Sequence, residues 1–323
     1  MDVDDGTGTI IHRVLSPTTH LSYLTNLVID PHLCLTRTHA PITQLALMIH
    51  GWGCQAIHYA PLITYLTAQD ASFDQGSLYV AVDLPGHGQS PGSALPEPDK
   101  GGVVELVLRL GDEVLGLLGL RYDQVQVMVY GHSMGTRTAL EVCAILTDRI
   151  SRLVLLDGSW AGDATPEDLD LGEVSERAAM YRGAVQERLH LYFGPRTSTE
   201  FERETREGFG SLDYEYALRM GYWYNLFDAG AAEVLDDLNS RNRDLVAAGR
   251  DPTHVLVVQS QESQSPGGRH SIKKGETTEY MRFLRTHIAR EWLQEWVVEE
   301  ASHYPHVDDI GEVGPVIHAF TRN

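Results

Sequence analysis

The stretch Gly131-His132-Ser133-Met134-Gly135 sets a hydroxyl between two glycines, between a run typical of a strand and a run typical of a helix. A serine at its ordinary pKa is a poor nucleophile. It needs a base to take its proton and an acid to orient that base. "VQVMVYG" (125–131) leads into the serine and "TRTALEVCAILTDRI" (136–150) leads away from it. Strand, G-x-S-x-G and helix together predict a sharp, strained turn that lifts the hydroxyl above the end of a sheet. The N-terminus of the following helix would then face any anion that forms there. Glycine and serine are common, so the flanking elements give the motif its weight.

A base is expected after the last strand pattern, "EWVVEEA" (295–301), which runs into "SHYPHVDD". His303 sits directly beyond that strand, and His306 is its rival three residues on. For the acid, "RLVLLDG" (152–158) ends in Asp157, while the loop after "HVLVVQS" (254–260) offers Glu262. Asp157 is preferred, because a carboxylate that closes an apolar strand is poorly explained as a solvated charge; its plainer reading is a turn or N-cap aspartate. The backbone amides of Trp52, in "HGWG", and of Met134 are the expected donors to an oxyanion. His132, Trp160, Trp223 and Tyr224 are the expected substrate contacts, the last two from the aromatic cluster "YALRMGYWYNLF" (216–227), which could equally be local packing.

The elements that must position these residues are legible as apolar, β-branched runs: 44–50, 77–85, 125–131, 152–158, 254–260 and 295–301. Most are continuously apolar, as strands buried on both faces are. Helical patterns at 103–120 and 136–150 alternate with them. This predicts an α/β fold, a mostly parallel central sheet with helices on both faces. Stretches near 10–16 and 22–29 are expected to add antiparallel edge strands. No strand pattern occurs over 161–250, and so long a gap predicts a helical cap insertion rather than a loop. The division expected is a core of 1–160 with 251–323, and a cap of 161–250. The polar, Gly-rich segment 262–280 is expected to be a mobile surface loop.

Composition narrows the partners. With 25 Lys and Arg against 45 Asp and Glu, the net charge of −20 disfavours nucleic acid and anionic membrane surfaces. The three cysteines, Cys34, Cys54 and Cys143, have no paired spacing and read as small buried thiols. "MDVDDGTGT" is not a secretory signal and no apolar run reaches membrane length, so a cytoplasmic protein is the expectation.

The motifs "HGWG", "DLPGHGQS", "GHSMG", "LLDGSW" and "SHYPHV" stand in the order found in the α/β-hydrolase superfamily, which the chain resembles over most of its length. That resemblance implies a serine hydrolase with Ser133 as nucleophile, His303 as base and Asp157 as acid, no cofactor or metal, and a small apolar ester, lactone or activated C–C bond as substrate. Gly51-Trp52, His132-Ser133, Asp157 and His303-Tyr304-Pro305 are also similar to the cofactor-free ring-cleaving dioxygenases of N-heteroaromatics, in which a His/Asp pair deprotonates the substrate. Cys54 stands where that branch tends to carry a histidine. Fungal lactonases share the His-aromatic-Pro pattern. A non-catalytic receptor on the same scaffold remains a further alternative.

Overall fold

The computed structural model describes residues 3–4, 10–26, 41–70, 76–92, 101–146, 149–160, 174–264 and 268–322. The chain opens with β1 (Val3–Asp4), β2 (Ile10–Leu15) and β3 (Ser22–Thr25). Strands and helices then alternate: β4 (Ile42–Ile49), α1 (Ala60–Asp70), β5 (Gly76–Val82), α2 (Gly102–Leu117), β6 (Gln126–His132), α3 (Gly135–Leu146) and β7 (Ile150–Leu156). Three helices follow, α4 (Val174–Arg188), α5 (Thr199–Ser211) and α6 (Tyr214–Ala247). The chain returns through β8 (His254–Gln259), β9 (Gln261–Gln264), β10 (Gly268–Ser271), α7 (Glu279–His287), β11 (Leu293–Val297), α8 (Pro305–Asp308) and α9 (Ile310–Arg322).

The described strands form a sheet in the order β1-β2-β3-β5-β4-β6-β7-β8-β11. From β5 to β11 every pair is parallel, and the N-terminal strands add an antiparallel edge. The second expected edge strand ends at Thr25, and residues 27–29 lie outside the described residues. The continuous apolar runs are explained by burial on both faces. Leu45, Leu47, Val127, Val129, Leu153, Leu155, Val255 and Val257 face one core, shared with α2, α3, α6 and α7. Their alternating neighbours Ala46, Met48, Met128, Tyr130, Val154, Leu156, Leu256 and Val258 face the other, shared with α1 and α9.

Among the described residues 174–250 there are helices and no strand. Helix α6 begins where Asp213 accepts a bond from the Tyr216 amide at 3.1 Å. Its Tyr216, Met220, Trp223, Tyr224, Phe227, Ala231, Leu235 and Leu238 recur at helical spacing, and that stripe joins the main core. Trp223 and Tyr224 are 3% and 2% exposed. The Tyr224 hydroxyl meets Thr138 Oγ1 of α3 at 2.6 Å. Beside them Arg137 of α3 makes a buried two-pronged pair with Asp228 of α6, at 2.7 and 2.5 Å. This helix therefore packs against α3, α4 and α7, and Trp223 and Tyr224 of the aromatic cluster are buried in the main core. The segment expected as a mobile loop contains the hairpin β9–β10, with Gln261 opposite Ser271, before α7 begins. Its strands are polar and pair only with each other, so no hydrophobic pattern announced them.

Replacing Trp223 by alanine is expected to cost about 3–5 kcal/mol of stability through the cavity it leaves. Urea unfolding measures that loss, and the relative rates on different substrates should stay unchanged.

Candidate active site

Ser133 follows directly from β6 in a left-handed backbone conformation, φ 51°. Two close contacts permit this turn. A Cβ on Gly131 would lie 2.6 Å from the Gly135 carbonyl oxygen, and one on Gly135 would collide with the Ile49 carbonyl. The Ser133 amide donates to the Leu156 carbonyl at 2.9 Å, which pins the turn to the end of β7. Gly51 lies against it from the other side; a Cβ there would approach Ser133 Cβ to 2.7 Å.

The acid candidate is likewise set at a strand end in a left-handed conformation, Asp157 at φ 43°. Its amide donates to the Val258 carbonyl at 2.7 Å. One carboxylate oxygen, Oδ1, accepts from the amides of Ser260 and Gln261 at 2.7 and 2.9 Å and lies 2.8 Å from Ser260 Oγ. The other, Oδ2, lies 2.5 Å from His303 Nδ1. Both side chains are buried. Burial pushes the Asp157 carboxyl up to about 6, against the opposing pull of the Arg269 guanidinium and the three donors. Burial first, then the positive charge of Arg269, hold His303 well below the usual histidine range. At neutral pH the pair is thus a carboxylate and a neutral imidazole. The short contact puts the imidazole hydrogen on Nδ1 and leaves the Nε2 lone pair free.

Neither alternative named from the sequence hydrogen-bonds to Asp157 or His303 among the described residues. Glu262 accepts from the Glu279 amide at 3.0 and 3.2 Å, at the start of α7. His306 is buried between the rings of Tyr59 and His132, at 5.0 and 4.8 Å, and its ring nitrogens have no partner among the described residues. His132 was expected to touch substrate. It is fully buried, and its Nε2 donates to the His303 carbonyl at 2.7 Å, so it supports the base from below. Trp160 stacks on Phe283 at 4.4 Å and donates to the Asp228 carbonyl at 3.3 Å, among the helices rather than beside Ser133. Cys54 is buried between His132 and Tyr304, and burial pushes its thiol up to about 12; Cys143 is buried too, and Cys34 lies outside the described residues.

The turn after β4 is held by His50, whose Nε2 accepts from the Leu84 amide at 2.9 Å and whose Nδ1 donates to the Gly51 carbonyl at 2.7 Å. Asp83 fastens the same turn by accepting from the Ala56 amide at 2.7 Å. Among the described residues, the amides of Trp52 and Met134 donate to no protein acceptor. Around Trp52 stand Tyr181 of α4, Phe209 of α5 and Tyr214 of α6, with ring centres 5.3, 5.7 and 5.8 Å away. Tyr192, in the turn after α4, lies 5.1 Å from the His303 ring. No sequence motif singled out these four aromatics. Nor did one single out Arg269 on β10, whose Nη1 lies 3.0 Å from His303 Nδ1 and 3.6 Å from Asp157 Oδ2.

Among the described residues no group of three or more His, Cys, Asp or Glu side chains could hold a metal ion, and no helix is long and apolar enough to cross a membrane.

Comparisons with known proteins agree with this architecture. An esterase from Thermogutta terrifontis superposes with a TM-score of 0.63 at 18% identity, over 96% of this chain and 98% of that one. The enol-lactonase from Burkholderia xenovorans LB400 gives 0.60 at 18% identity, over 97% and 100%. A meta-cleavage product hydrolase from Pseudomonas fluorescens IP01 gives 0.60 at 15% identity, over 96% and 97%. These likenesses are of fold. A search of curated proteins finds no match. The family model described as "Alpha/beta hydrolase family" matches residues 46–314, and with that match over most of its length the chain belongs to the alpha/beta hydrolase family.

Proposed function

We propose that this hydrolase works through Ser133 as nucleophile, His303 as base and Asp157 as the acid that orients it, forming an acyl-enzyme. The observation that carries this reading is the 2.5 Å contact between His303 Nδ1 and Asp157, which leaves Nε2 as a proton acceptor. In the first step Ser133 Oγ bonds to the acyl carbon, its proton passes to His303 Nε2, and the carbonyl π-electrons become the oxyanion. The unpartnered amides of Trp52 and Met134 are suited to receive that oxyanion. Collapse of the adduct breaks the bond to the leaving group, which takes the proton from Nε2. A water then repeats the sequence, with His303 as base, and releases the acid.

The substrate proposed is a small or medium apolar ester, lactone or activated C–C bond. Trp52, Tyr181, Tyr192, Phe209 and Tyr214 supply an aromatic surround around the turn and the base. Base-assisted oxygenation would use the same His303–Asp157 pair but would not need Ser133 as a nucleophile, so substitution of the serine separates the two.

Ser133→Ala is expected to lower ester turnover by roughly a thousandfold or more. A fluorophosphonate probe should label Ser133 in the unaltered protein, as read by peptide mass spectrometry. Near-full activity of the alanine variant, or oxygen uptake with a hydroxyquinolone, would overturn the acyl-enzyme.

The two carboxylates are separated by substitution. Asp157→Asn should cut kcat severely, because the neutral amide can no longer hold the imidazolium, whereas Glu262→Gln should leave kcat within about twofold. Steady-state kinetics on one activated ester ranks them, and the reverse ranking would move the acid to Glu262.

The pH profile tests the base. A carboxylate neighbour alone would bring the ionisation of His303 to neutrality or above, as the sequence suggests. Burial and Arg269 lower it instead. Protonation inactivates a general base, so the acid limb of kcat/KM should lie below the usual histidine range rather than at neutrality. His306→Ala should keep this limb, and His303→Ala should abolish activity. A limb lost with His306 and kept without His303 would assign the base to the other histidine.

A further inference from the structure

Among the described residues, Arg269 is the one charged side chain that the structure brings against the His303–Asp157 pair and that the mechanism above does not use. It sits on β10, in a hairpin that leaves the sheet beyond β8 and returns beside the pair. Its side chain is 9% exposed. The guanidinium lies over the Tyr192 ring at 4.9 Å, a cation–π contact that favours its place beside the pair. Nη1 then stands 3.0 Å from His303 Nδ1 and 3.6 Å from Asp157 Oδ2.

Nδ1 cannot serve both neighbours. If it carries the hydrogen, it donates to Asp157 and faces the guanidinium as one donor against another. If it carries the lone pair, it accepts from Arg269 and meets Asp157 as acceptor against acceptor, which holds only when the carboxyl is protonated. The 2.5 Å approach of Oδ2 selects the first arrangement while Asp157 is ionised. A permanent positive charge at this distance favours the carboxylate and opposes an imidazolium. Both effects disfavour the proton that would inactivate the pair.

We propose that Arg269 is a positioning residue for the His303–Asp157 pair, its guanidinium holding Asp157 as the carboxylate acceptor and His303 as the neutral base. This rests on the serine-hydrolase reading. The other titratable groups facing the pair are His132 of β6, Tyr192, and Tyr304 and His306 beside the base, with Cys54 behind Tyr304. Burial keeps His132 and His306 neutral and raises Tyr304 and Cys54, so among these groups none other than Arg269 brings a positive charge. Arg269 also carries a cost, because the imidazolium formed during attack meets the same charge. Its effect is to extend activity toward acid rather than to raise the plateau.

The test compares Arg269→Gln, Arg269→Met and Arg269→Lys with the unaltered protein by the pH dependence of kcat/KM on p-nitrophenyl butyrate. The acid limb should move upward by roughly one to three pH units in the Gln and Met variants, the shift expected of one adjacent charge, and by less than about half a unit with Lys. Thermal unfolding confirms that each variant is folded, and Met, which matches the alkyl stem, is the companion should Gln fail. NMR titration of histidine-labelled protein follows His303 without turnover and should show the same upward shift. An unchanged limb and an unchanged His303 titration, in a protein whose Ser133 reacts with a fluorophosphonate, would overturn the role of Arg269 and leave the nucleophile standing. Failure of Ser133 to react would overturn the serine reading instead, and the His303 titration would still decide whether Arg269 governs the pair.

Discussion

The close backbone contact beneath Ser133 is the constraint on which the site depends. Three strand ends, β4, β6 and β7, meet there, and the turn of the central one must pass between the other two. Gly131 and Gly135 are needed because a methyl group at either would strike backbone, and Gly51 because its neighbour is the serine itself. Ser133 adopts a left-handed conformation as a result, and Asp157 does so at the next strand end. Such conformations cost of order 1–3 kcal/mol each and persist only where the surroundings overdetermine them. Here the ladder continues past the strands to do that: the amide of Ser133 binds the Leu156 carbonyl, and that of Asp157 binds the Val258 carbonyl.

Burial then sets the electrostatics of the site. His50, His58, His87, His132, His303 and His306 are all buried and all held below the usual histidine range, chiefly by desolvation. They act as neutral packing and hydrogen-bonding groups. His50 locks the turn that carries Trp52, and His132 props the His303 carbonyl. His303 differs from the rest in having a carboxylate on one ring nitrogen, and it is this contact, not histidine content, that marks it as a base. The loop after β8 carries no acid at the equivalent height. It turns its Ser260 and Gln261 amides to the Asp157 carboxylate instead, so the charge comes from one strand and its solvation from the next.

The helical segment after β7 is joined to the core through its last helix. Helix α6 begins beside Trp52, with Tyr214 against that ring, and then runs along α3 as interior packing. A single rigid element therefore contacts both the surroundings of the candidate site and the core. The paired Arg137 and Asp228 fix its register on α3. A buried pair of this kind is worth less as stability than as a constraint on which faces meet.

The sequence by itself determined the sheet, its helical layers and the residues at the strand ends. Runs such as "QVMVYGH" and "RLVLLDG" report burial on both faces locally, and Ser133 and Asp157 were readable because each stands at the end of such a run, while His303 was readable from its place beyond the last strand pattern, whose β11 is only partly buried. Only the tertiary structure decided what surrounds them. Arg269 lies in a polar hairpin whose pairing leaves no hydrophobic period, and it faces an aspartate far away in the chain. Trp223 and Tyr224 read in sequence equally as a substrate wall or as packing and are buried in the core, whereas Tyr181, Tyr192 and Phe209 carry no signal in the sequence and stand around Trp52 and His303. The physical reason is that hydrophobic period records whether a side chain is buried. It does not record against what, because the partner is chosen by the packing of elements distant in the chain.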